Sequence, residues 1–270
     1  MRNFHKIGIV GGGQMGEALI RGIIHSGLLS ADKIMISDPD RDRCQYLLST
    51  YSIKIADSAE SLADTCSILI LAIKPQIMTK VLDMYRQSIS GKHLIISIAA
   101  GISIQSIEKL LGDTVKVIRV MPNTPALVLA GASALSPNSK ATREDIDTAL
   151  QIFSAIGTCF EVDEKLLDAV TGLSGSGPGY VFAFIEAMVD GGVLAGLPRP
   201  VAEKLVLQTV YGSAKLAMES GEPPAVLKGR VTSPGGTTIT GLHVLEESGF
   251  RGAVMTAIDA ATERSKELGQ

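Results

Sequence analysis

The segment that most constrains the fold of this 270-residue chain is a glycine-rich stretch between a strand and a helix. Ile7–Val10 is a short apolar run, typical of a buried strand. Gly11–Gly16 follows it and has the spacing G-x-G-x-x-G. Apolar residues then recur at helical spacing until Gly27, which is placed to end a helix. This strand–turn–helix order predicts the first βα unit of an α/β domain.

The same glycines predict a dinucleotide site, since each has a distinct physical task. Gly11 permits the tight turn, Gly13 lets backbone approach a pyrophosphate, and Gly16 lets the helix pack close to the strand. The helix N-terminus attracts the phosphate charge. The alternative is an ordinary tight βα turn. The predicted cofactor contacts in this loop are Gly11, Gly13, Gln14, Met15 and Gly16.

Further apolar runs alternate with helical patterns over the first two-thirds of the chain, which predicts parallel βαβ units with helices on both faces of a sheet. Thr142–Asp145 resembles a capping box and should open a helix running towards Ile156. The predicted later strands are Lys33–Ser37, Ile53–Ile55, Ile68–Ile73, Leu94–Ile98, Val115–Val120 and Gly157–Val162.

After about residue 165 the pattern becomes helical. The segment Pro178–Ala195 is apolar almost all round, but Glu186 and Asp190 interrupt it, so we expect a helix buried in a protein interface and an obligate dimer. A second helix should reach Ser220, and two more should lie near 236–247 and 249–268. We therefore predict an α/β dinucleotide-binding domain over residues 1–165 and an all-helical domain over 166–270.

Composition excludes several other classes. The formal net charge of −3 shows no excess of Lys and Arg for nucleic acid or an anionic membrane. Cys44, Cys66 and Cys159 lie too far apart for a disulfide framework or a zinc site, so we predict no metal and a reducing compartment. Because the N-terminus enters the first strand without an apolar signal core, we expect a cytoplasmic protein.

The end of the second strand bears on the choice of cofactor. Ser37 and Asp38 are predicted cofactor contacts, because an acidic residue here hydrogen-bonds a ribose 2′-hydroxyl and repels a 2′-phosphate. Arg41 and Arg43 are close enough in sequence to supply positive charge to that phosphate, or Asp40 and the arginines form a solvated helix start. The preference between NADPH and NADH stays open.

Two more strand ends should share that carboxyl edge and border the cofactor. The residues predicted to do so are Ala72, Lys74, Pro75, Ala99 and Ala100. A turn with two prolines, Arg119–Pro125, ends another strand; from its residues alone it is as compatible with a connector as with a site.

The strongest signal in the helical part is Ser233–Ile239, in which Pro-Gly-Gly precedes a helical pattern. Unpaired backbone N–H groups at such a helix N-terminus bind a carboxylate or phosphate, and neighbouring hydroxyls extend the site. The alternative is a turn in which a Thr caps the helix. The residues of the predicted anion site are Ser233, Gly235, Gly236, Thr237 and Thr238.

Together these segments resemble the Δ1-pyrroline-5-carboxylate reductase family over essentially the whole chain. M-P-N-T-P followed later by S-P-G-G-T-T is the specific part of the resemblance, whereas many dehydrogenases share the glycine motif. The matching segments are Ile7–Gly16, Ala72–Pro75, Ile96–Gly101, Arg119–Pro125, Ser174–Pro178, Ser233–Ile239 and Leu245–Arg251.

The resemblance implies a Rossmann-type domain, an all-helical dimerisation domain with the active site where the two meet, and an intertwined homodimer often assembled into a homodecamer. It implies reduction of a cyclic imine to proline with NADPH or NADH. Ser233–Thr238 would hold the substrate carboxylate, Asn123 would lie at the substrate, and the Thr238 hydroxyl would contact the ring nitrogen, as proton donor or only to orient it. Many members carry a small polar residue where this chain has Asp38, a departure that bears on cofactor preference.

Two rival functions fit the sequence less well. A hydroxyacid dehydrogenase of similar build would place an essential lysine in G-x-x-G-x-G-x-x-x-K, but Val181 stands at that position and removes the proton donor. A non-catalytic dinucleotide-binding sensor would not need the intact Ser233–Thr238 loop. Motifs for a P-loop, a nucleophile elbow or H-E-x-x-H are absent. The four histidines, in unrelated settings, are expected to be surface or packing residues; they are His5, His25, His93 and His243.

Overall fold

The computed structural model describes residues 6–269, and its first part is an eight-stranded sheet with the order β3-β2-β1-β4-β5-β6-β7-β8. Strands β1 to β6 pair in parallel, and their order is that of a Rossmann fold. The strands are β1 (Ile7–Val10), β2 (Ile34–Ser37), β3 (Lys54–Ile55), β4 (Ile68–Leu71), β5 (Leu94–Ser97), β6 (Lys116–Met121), β7 (Gly131–Pro137) and β8 (Gly157–Glu161).

Helices cover both faces of this sheet, as the alternating pattern predicts. One hydrophobic cluster packs α1, α2 and α6 on one face, and a second packs α3, α4 and α5 on the other. Because both faces are covered, strands β1 and β4 are apolar and buried along their whole length. The helices are α1 (Gln14–His25), α2 (Arg41–Tyr51), α3 (Ala59–Thr65), α4 (Met78–Tyr85), α5 (Ile104–Leu111) and α6 (Arg143–Ser154).

Two details of the sheet correct the sequence prediction. Strand β7 was not predicted, and it pairs antiparallel with β6; its sequence G-A-S-A-L-S-P has neither an apolar run nor a clear alternation. The predicted strands also extend too far. Ile53, Ile73 and Ile98 lie outside the strands, because an apolar residue at a strand end need only be buried and does not need a ladder partner.

The C-terminal part is helical, with boundaries within two residues of those predicted. Its helices are α7 (Leu167–Val170), α8 (Gly177–Leu194), α9 (Arg199–Ser220), α10 (Pro224–Arg230), α11 (Thr237–Glu247) and α12 (Phe250–Leu268). The short helices α7 and α10 were not predicted. A π-helical turn, Thr171–Gly175, follows α7, and π-turns are uncommon outside functional segments.

The described residues form two compact units. One runs to Ser176 and resumes at Asp259, and the other is Gly177–Ile258. In the second unit the buried hydrophobic cluster has three members, Val189, Ala202 and Val206, while many of its large apolar side chains are exposed. Within residues 6–269, no helix has the length and apolarity needed to cross a membrane.

Candidate functional site

The strand register brings four of the predicted site segments to one edge of the sheet. Val10 lies beside Ser37 on one side and beside Leu71 on the other, and Leu71 lies beside Ser97. Backbone hydrogen bonds continue past the ladder, from Gly11 N to Ser37 O at 2.8 Å and from Ala72 N to Val10 O at 2.8 Å. The chain therefore turns out of β1, β2, β4 and β5 at the same edge, where ligands bind in open α/β sheets.

The three glycines of the loop differ in what surrounds them. Gly11 has a φ of +104°, and a Cβ there would lie 2.4 Å from the carbonyl oxygen of Ala72. A Cβ on Gly16 would lie 2.2 Å from the carbonyl oxygen of Gly11. Gly13 has no atom within 4 Å of the Cβ position and is exposed. Gly11 and Gly16 thus close the turn, while Gly13 leaves open the approach to the N-terminus of α1.

The carboxylate of Asp38 lies against this loop. Its Oδ2 accepts a hydrogen bond from Gly12 N at 2.6 Å, and its Oδ1 accepts one from Asp40 N at 2.9 Å. Asp40 in turn caps α2 by accepting from Arg43 N at 3.0 Å. Asp38 is therefore held at the end of β2 beside the glycine loop, with lone pairs left over for a ligand hydroxyl.

Arg43, one of the two arginines proposed as phosphate ligands, is engaged elsewhere. Its guanidinium forms an ion pair with Glu17 and donates from Nε to Gly12 O at 2.5 Å. Glu17 also accepts from Tyr51 Oη at 2.8 Å and from Tyr46 Oη at 3.3 Å. Partial burial opposes ionisation of Glu17, but hydrogen bonds from Arg43 and Tyr51 outweigh it and lower its pKa. Burial, together with the hydrogen bond to Glu17, raises the pKa of Tyr51 to about 12.

Glu17 was missed in the sequence. It lies in the first turn of α1, where an acidic residue is unremarkable. Its partner Arg43 lies 26 residues away, so no local pattern announces the pair.

The other predicted residues of the edge have different surroundings. Lys74 is exposed and precedes a short 3₁₀ turn that begins at Pro75. Ala99 is buried and Ala100 is exposed. The Asn123 side chain donates to Ser174 O at 3.0 Å and accepts from Ala132 N at 2.8 Å, so it joins the loop after β6 to the π-helical turn.

The second candidate site is the loop before α11. Gly236 N donates to Ser233 O at 3.0 Å, and Gly235, which follows Pro234, has a φ of +65°; these are the features of a type II turn. Gly236 is the N-cap of α11, and no side chain caps the helix. The alternative in which a Thr caps this helix is therefore wrong.

Thr238 is in the first turn of α11 and is half-buried. Among the described residues, its hydroxyl has no hydrogen-bond partner. By contrast, the hydroxyl of Thr240 donates to Gly236 O at 3.1 Å. The loop therefore presents unpaired backbone N–H groups at a helix N-terminus, together with the hydroxyls of Ser233, Thr237 and Thr238, which make no hydrogen bond within the described residues.

Other polar clusters do not compete with these two sites. A cavity of about 750 Å³ lies at the opposite, amino-terminal edge of the sheet and contains none of the predicted site residues. Its Lys116 forms an ion pair with Asp145 at 3.0 Å. His93 is buried with Nε2 3.0 Å from Ala63 O, while His25 and His243 are exposed; His5 lies outside the described residues. Across residues 6–269, no group of three or more His, Cys, Asp or Glu side chains is arranged to hold a metal.

Comparison with known proteins matches both parts of the chain. The family model described as pyrroline-5-carboxylate reductase dimerisation matches residues 164–268. A model described as NADP oxidoreductase, coenzyme F420-dependent, matches residues 6–101. Pyrroline-5-carboxylate reductase from Synechocystis sp. is 47% identical over 98% of both chains.

Solved structures give the same result. The chain is similar to Plasmodium falciparum pyrroline carboxylate reductase with NADP bound, at a TM-score of 0.88 and 37% identity, covering 100% of each chain. It is also similar to a pyrroline-5-carboxylate reductase from Coxiella burnetii, at a TM-score of 0.95 and 32% identity, covering 99% of this chain and 100% of that one. These matches disfavour the hydroxyacid dehydrogenase and the non-catalytic sensor.

Proposed function

The chain belongs to the pyrroline-5-carboxylate reductase family, and from that premise we propose how its residues reduce Δ1-pyrroline-5-carboxylate to L-proline with NAD(P)H, the last step of proline biosynthesis. The observation that carries the proposal is that one chain contains both a dinucleotide-type glycine loop and a glycine-rich helix N-terminus suited to a carboxylate. We propose residues 1–165 as the cofactor-binding domain and 166–270 as the substrate and dimerisation domain.

The glycine loop fits a dinucleotide. The open space at Gly13 admits the pyrophosphate, and the backbone N–H groups of Gln14, Met15 and Gly16 at the start of α1 face its charge. The bound nicotinamide supplies the hydride. Residues at the neighbouring strand ends border the cofactor; these are Gly11, Ser37, Asp38, Ala72, Lys74, Pro75, Ala99 and Ala100.

The Ser233–Thr238 loop holds the substrate carboxylate. Its supporting features are the left-handed Gly235, the unpaired N–H groups after Gly236, and the hydroxyls of Ser233 and Thr237. A carboxylate bound there fixes the position and orientation of the ring, which is how binding energy lowers the barrier of a bimolecular step. Asn123 is proposed to contact the substrate as well.

Thr238 is proposed as the catalytic residue. Its unengaged hydroxyl is available to the ring nitrogen, either to donate the proton or to orient the C=N bond. A C=N bond is a better electrophile than a ketone, especially when protonated, so the site needs alignment more than a strong acid. One hydroxyl and the helix dipole are sufficient for that role.

The helical unit supports a homo-oligomer, and we propose a homodimer that assembles further into a homodecamer. Phe182 is 63% exposed and Leu194 is 90% exposed in the single chain. An apolar groove of about 670 Å³ lies in the same unit, lined by Tyr180, Phe184 and Phe250 among others. Apolar area of this extent is rarely left exposed on a soluble monomer. We further propose a cytoplasmic location.

The direct test is oxidation of NADH or NADPH by the purified protein with Δ1-pyrroline-5-carboxylate as the acceptor. We expect turnover with the imine and none with hydroxyacids such as 3-hydroxyisobutyrate and NAD. Turnover of the hydroxyacid at or above the imine rate would refute the assignment.

Thr238→Ala tests the role of the hydroxyl. Loss of one oriented donor costs about 2–4 kcal/mol in the transition state, which is roughly 30- to 1000-fold in kcat. KM for the imine should change much less, because the carboxylate site survives. Thr240→Ala is the matched control, since the Thr240 hydroxyl is already bonded to Gly236 O. A folded Thr238→Ala enzyme with the kcat of the control would remove Thr238 from the mechanism.

A further inference from the structure

Asp38 lies directly after β2, and Arg43, in the first turn of α2, is paired with a second carboxylate, Glu17. The cofactors differ by one phosphate on the adenosine ribose, and in this fold the ribose 2′-position lies at the end of β2. Asp38 occupies that end, with its two oxygens 2.6 Å from Gly12 N and 2.9 Å from Asp40 N. Because both bonds come from backbone N–H groups, the carboxylate is held in place and cannot easily swing away from an incoming phosphate.

The half-buried arginine beside the glycine loop, Arg43, is already engaged by other groups. An arginine near this position accommodates the 2′-phosphate in NADP-binding proteins of this fold, and Arg43 is the half-buried candidate. Its guanidinium is already used by Glu17 and by Gly12 O, and it stacks over the ring of Tyr46 at 5.0 Å. Glu17 is itself fixed by the Tyr51 hydroxyl. Binding a phosphate through Nε or Nη2 would require Arg43 to give up these bonds, in an ion pair whose two side chains are 27% and 22% exposed.

We infer that this chain is an NADH-preferring reductase, in which Asp38 repels the 2′-phosphate and Glu17 keeps Arg43 from binding it. The inference rests on the proposed function and deepens it by naming the cofactor and the residues that select it. It assigns Glu17, a residue with no contact expected to the reacting atoms, a role in specificity. Arg41 remains as a second, exposed arginine at the start of α2, and it enters the test for that reason.

The experiment measures binding rather than turnover. NADH and NADPH are titrated separately with the full chain, without the imine, and the dissociation constants are read from nicotinamide fluorescence. We expect NADH to bind about 10- to 100-fold more tightly, equivalent to about 1.4–2.8 kcal/mol. Equal affinities, or tighter binding of NADPH, would overturn the inference. A chain that prefers NADH but fails to reduce the imine would instead refute the proposed function alone.

Variants then separate the two carboxylates. Asp38→Ser should strengthen NADPH binding about tenfold or more. Adding Glu17→Gln should strengthen it by roughly a further tenfold or more, because the released Arg43 could then donate a charge-assisted hydrogen bond to the 2′-phosphate. If the double variant binds NADPH no more tightly than Asp38→Ser alone, the role of Glu17 is refuted. The unaltered chain's own ratio tests the inference even if Asp38→Ser unfolds.

Two controls complete the test. Asp64→Asn removes the same charge at the amino-terminal edge of the sheet, at the cavity around Lys116, and should leave the ratio unchanged because salt screens charges at that distance. Arg41→Ala should also leave the NADPH affinity unchanged. A tenfold loss of NADPH binding in Arg41→Ala would show that Arg41 binds the phosphate, and would contradict the inference.

Discussion

Replacing Gly13 and Gly16 one at a time by alanine separates the glycine that the cofactor needs from the glycine that the fold needs. Both substitutions add a single methyl group to the same loop, so each serves as the control for the other. A Cβ at Gly16 would lie 2.2 Å from the carbonyl oxygen of Gly11, whereas ordinary contact begins at 3.4 Å. At Gly13 the same atom would meet nothing within 4 Å.

The magnitudes follow from these distances. In α1, alanine at position 16 gains about 1 kcal/mol of helix propensity over glycine, but overpacking costs about 1–3 kcal/mol or more. The obstructing atom is backbone, in a turn held by Gly11 at a φ of +104°, so the clash should exceed the gain. We expect a net loss of about 2 kcal/mol in the free energy of unfolding, which lowers the Tm of a domain of this size by roughly 4–8 °C.

At Gly13 the stability should hardly change. Its φ of −63° and ψ of −174° suit alanine, and the weaker N-cap is offset by about 0.4–1 kcal/mol of lost unfolded-state entropy. The methyl group would instead occupy the approach of the pyrophosphate. We expect the Kd for NADH to rise about tenfold or more, a cost of about 1.4 kcal/mol.

Thermal unfolding and NADH titration of both variants test whether Gly16 is needed for the fold and Gly13 for the cofactor. The expected pattern is a lowered Tm for Gly16→Ala and a raised Kd with unchanged Tm for Gly13→Ala. If Gly16→Ala melts at the wild-type temperature, the close packing of α1 on the turn is wrong. If Gly13→Ala binds NADH like the wild type, the pyrophosphate does not approach at this glycine.

Three further predictions concern the stability of the α/β part of the chain. Asp145→Ala should cost about 1 kcal/mol in the free energy of unfolding at pH 7 by removing the capping box with Thr142. Burial acts to raise the pKa of Asp145, but hydrogen bonds from Thr142 and Lys116 lower it, so the stabilisation is present above pH 3.8, the ordinary Asp value, and is lost as pH falls through the lowered pKa. A stability difference between variant and wild type in urea unfolding that persists at lower pH would contradict this. Glu164→Ala should cost about 3 kcal/mol in urea unfolding, because it leaves Arg119, whose side chain is 9% exposed, without its partner; a loss under about 1 kcal/mol, the value of a surface pair, would refute it. Asn123→Ala should cost about 1–3 kcal/mol through its two lost hydrogen bonds and should raise KM for the imine; an unchanged KM would remove Asn123 from the substrate site.

The parallel part of the fold was predictable because its signals are local. Strands β1 and β4 are short apolar runs buried on both faces, and the capping box at Thr142 predicts the start of α6 within four residues. Strand β7 was not predictable, since its alanines and serines form neither an apolar run nor a clear alternation. Strand β3 was predicted one residue too long, as Ile53–Ile55, because its length is set by where β2 offers partners, at Met35 and Ile36.

The sequence predicted which residues lie together at the carboxyl edge of the sheet, but it did not predict which hydrogen bonds and ion pairs their side chains form. Asp38 was identified from its place at a strand end, a position that topology alone dictates. The engagement of Arg43 was invisible, because Glu17 stands on another helix and nothing in the spacing relates them. The alternative of a Thr cap on α11 failed for a related reason: Gly236 takes the N-cap position when Pro234 and Gly235 close the turn before it.

The sequence and the structure of the helical unit, Gly177–Ile258, both indicate a homo-oligomer. In the single chain, helix α8 buries only Val189, although its own side chains are apolar on almost all sides. A periodicity analysis assumes one buried face and one solvated face, and therefore fails for a helix that is apolar on all sides. With only three fully buried apolar residues, Gly177–Ile258 gains little hydrophobic stabilisation from its own chain. A second copy that covers Phe182 and Leu194 would supply the missing burial, so the stability of this unit should depend on protein concentration.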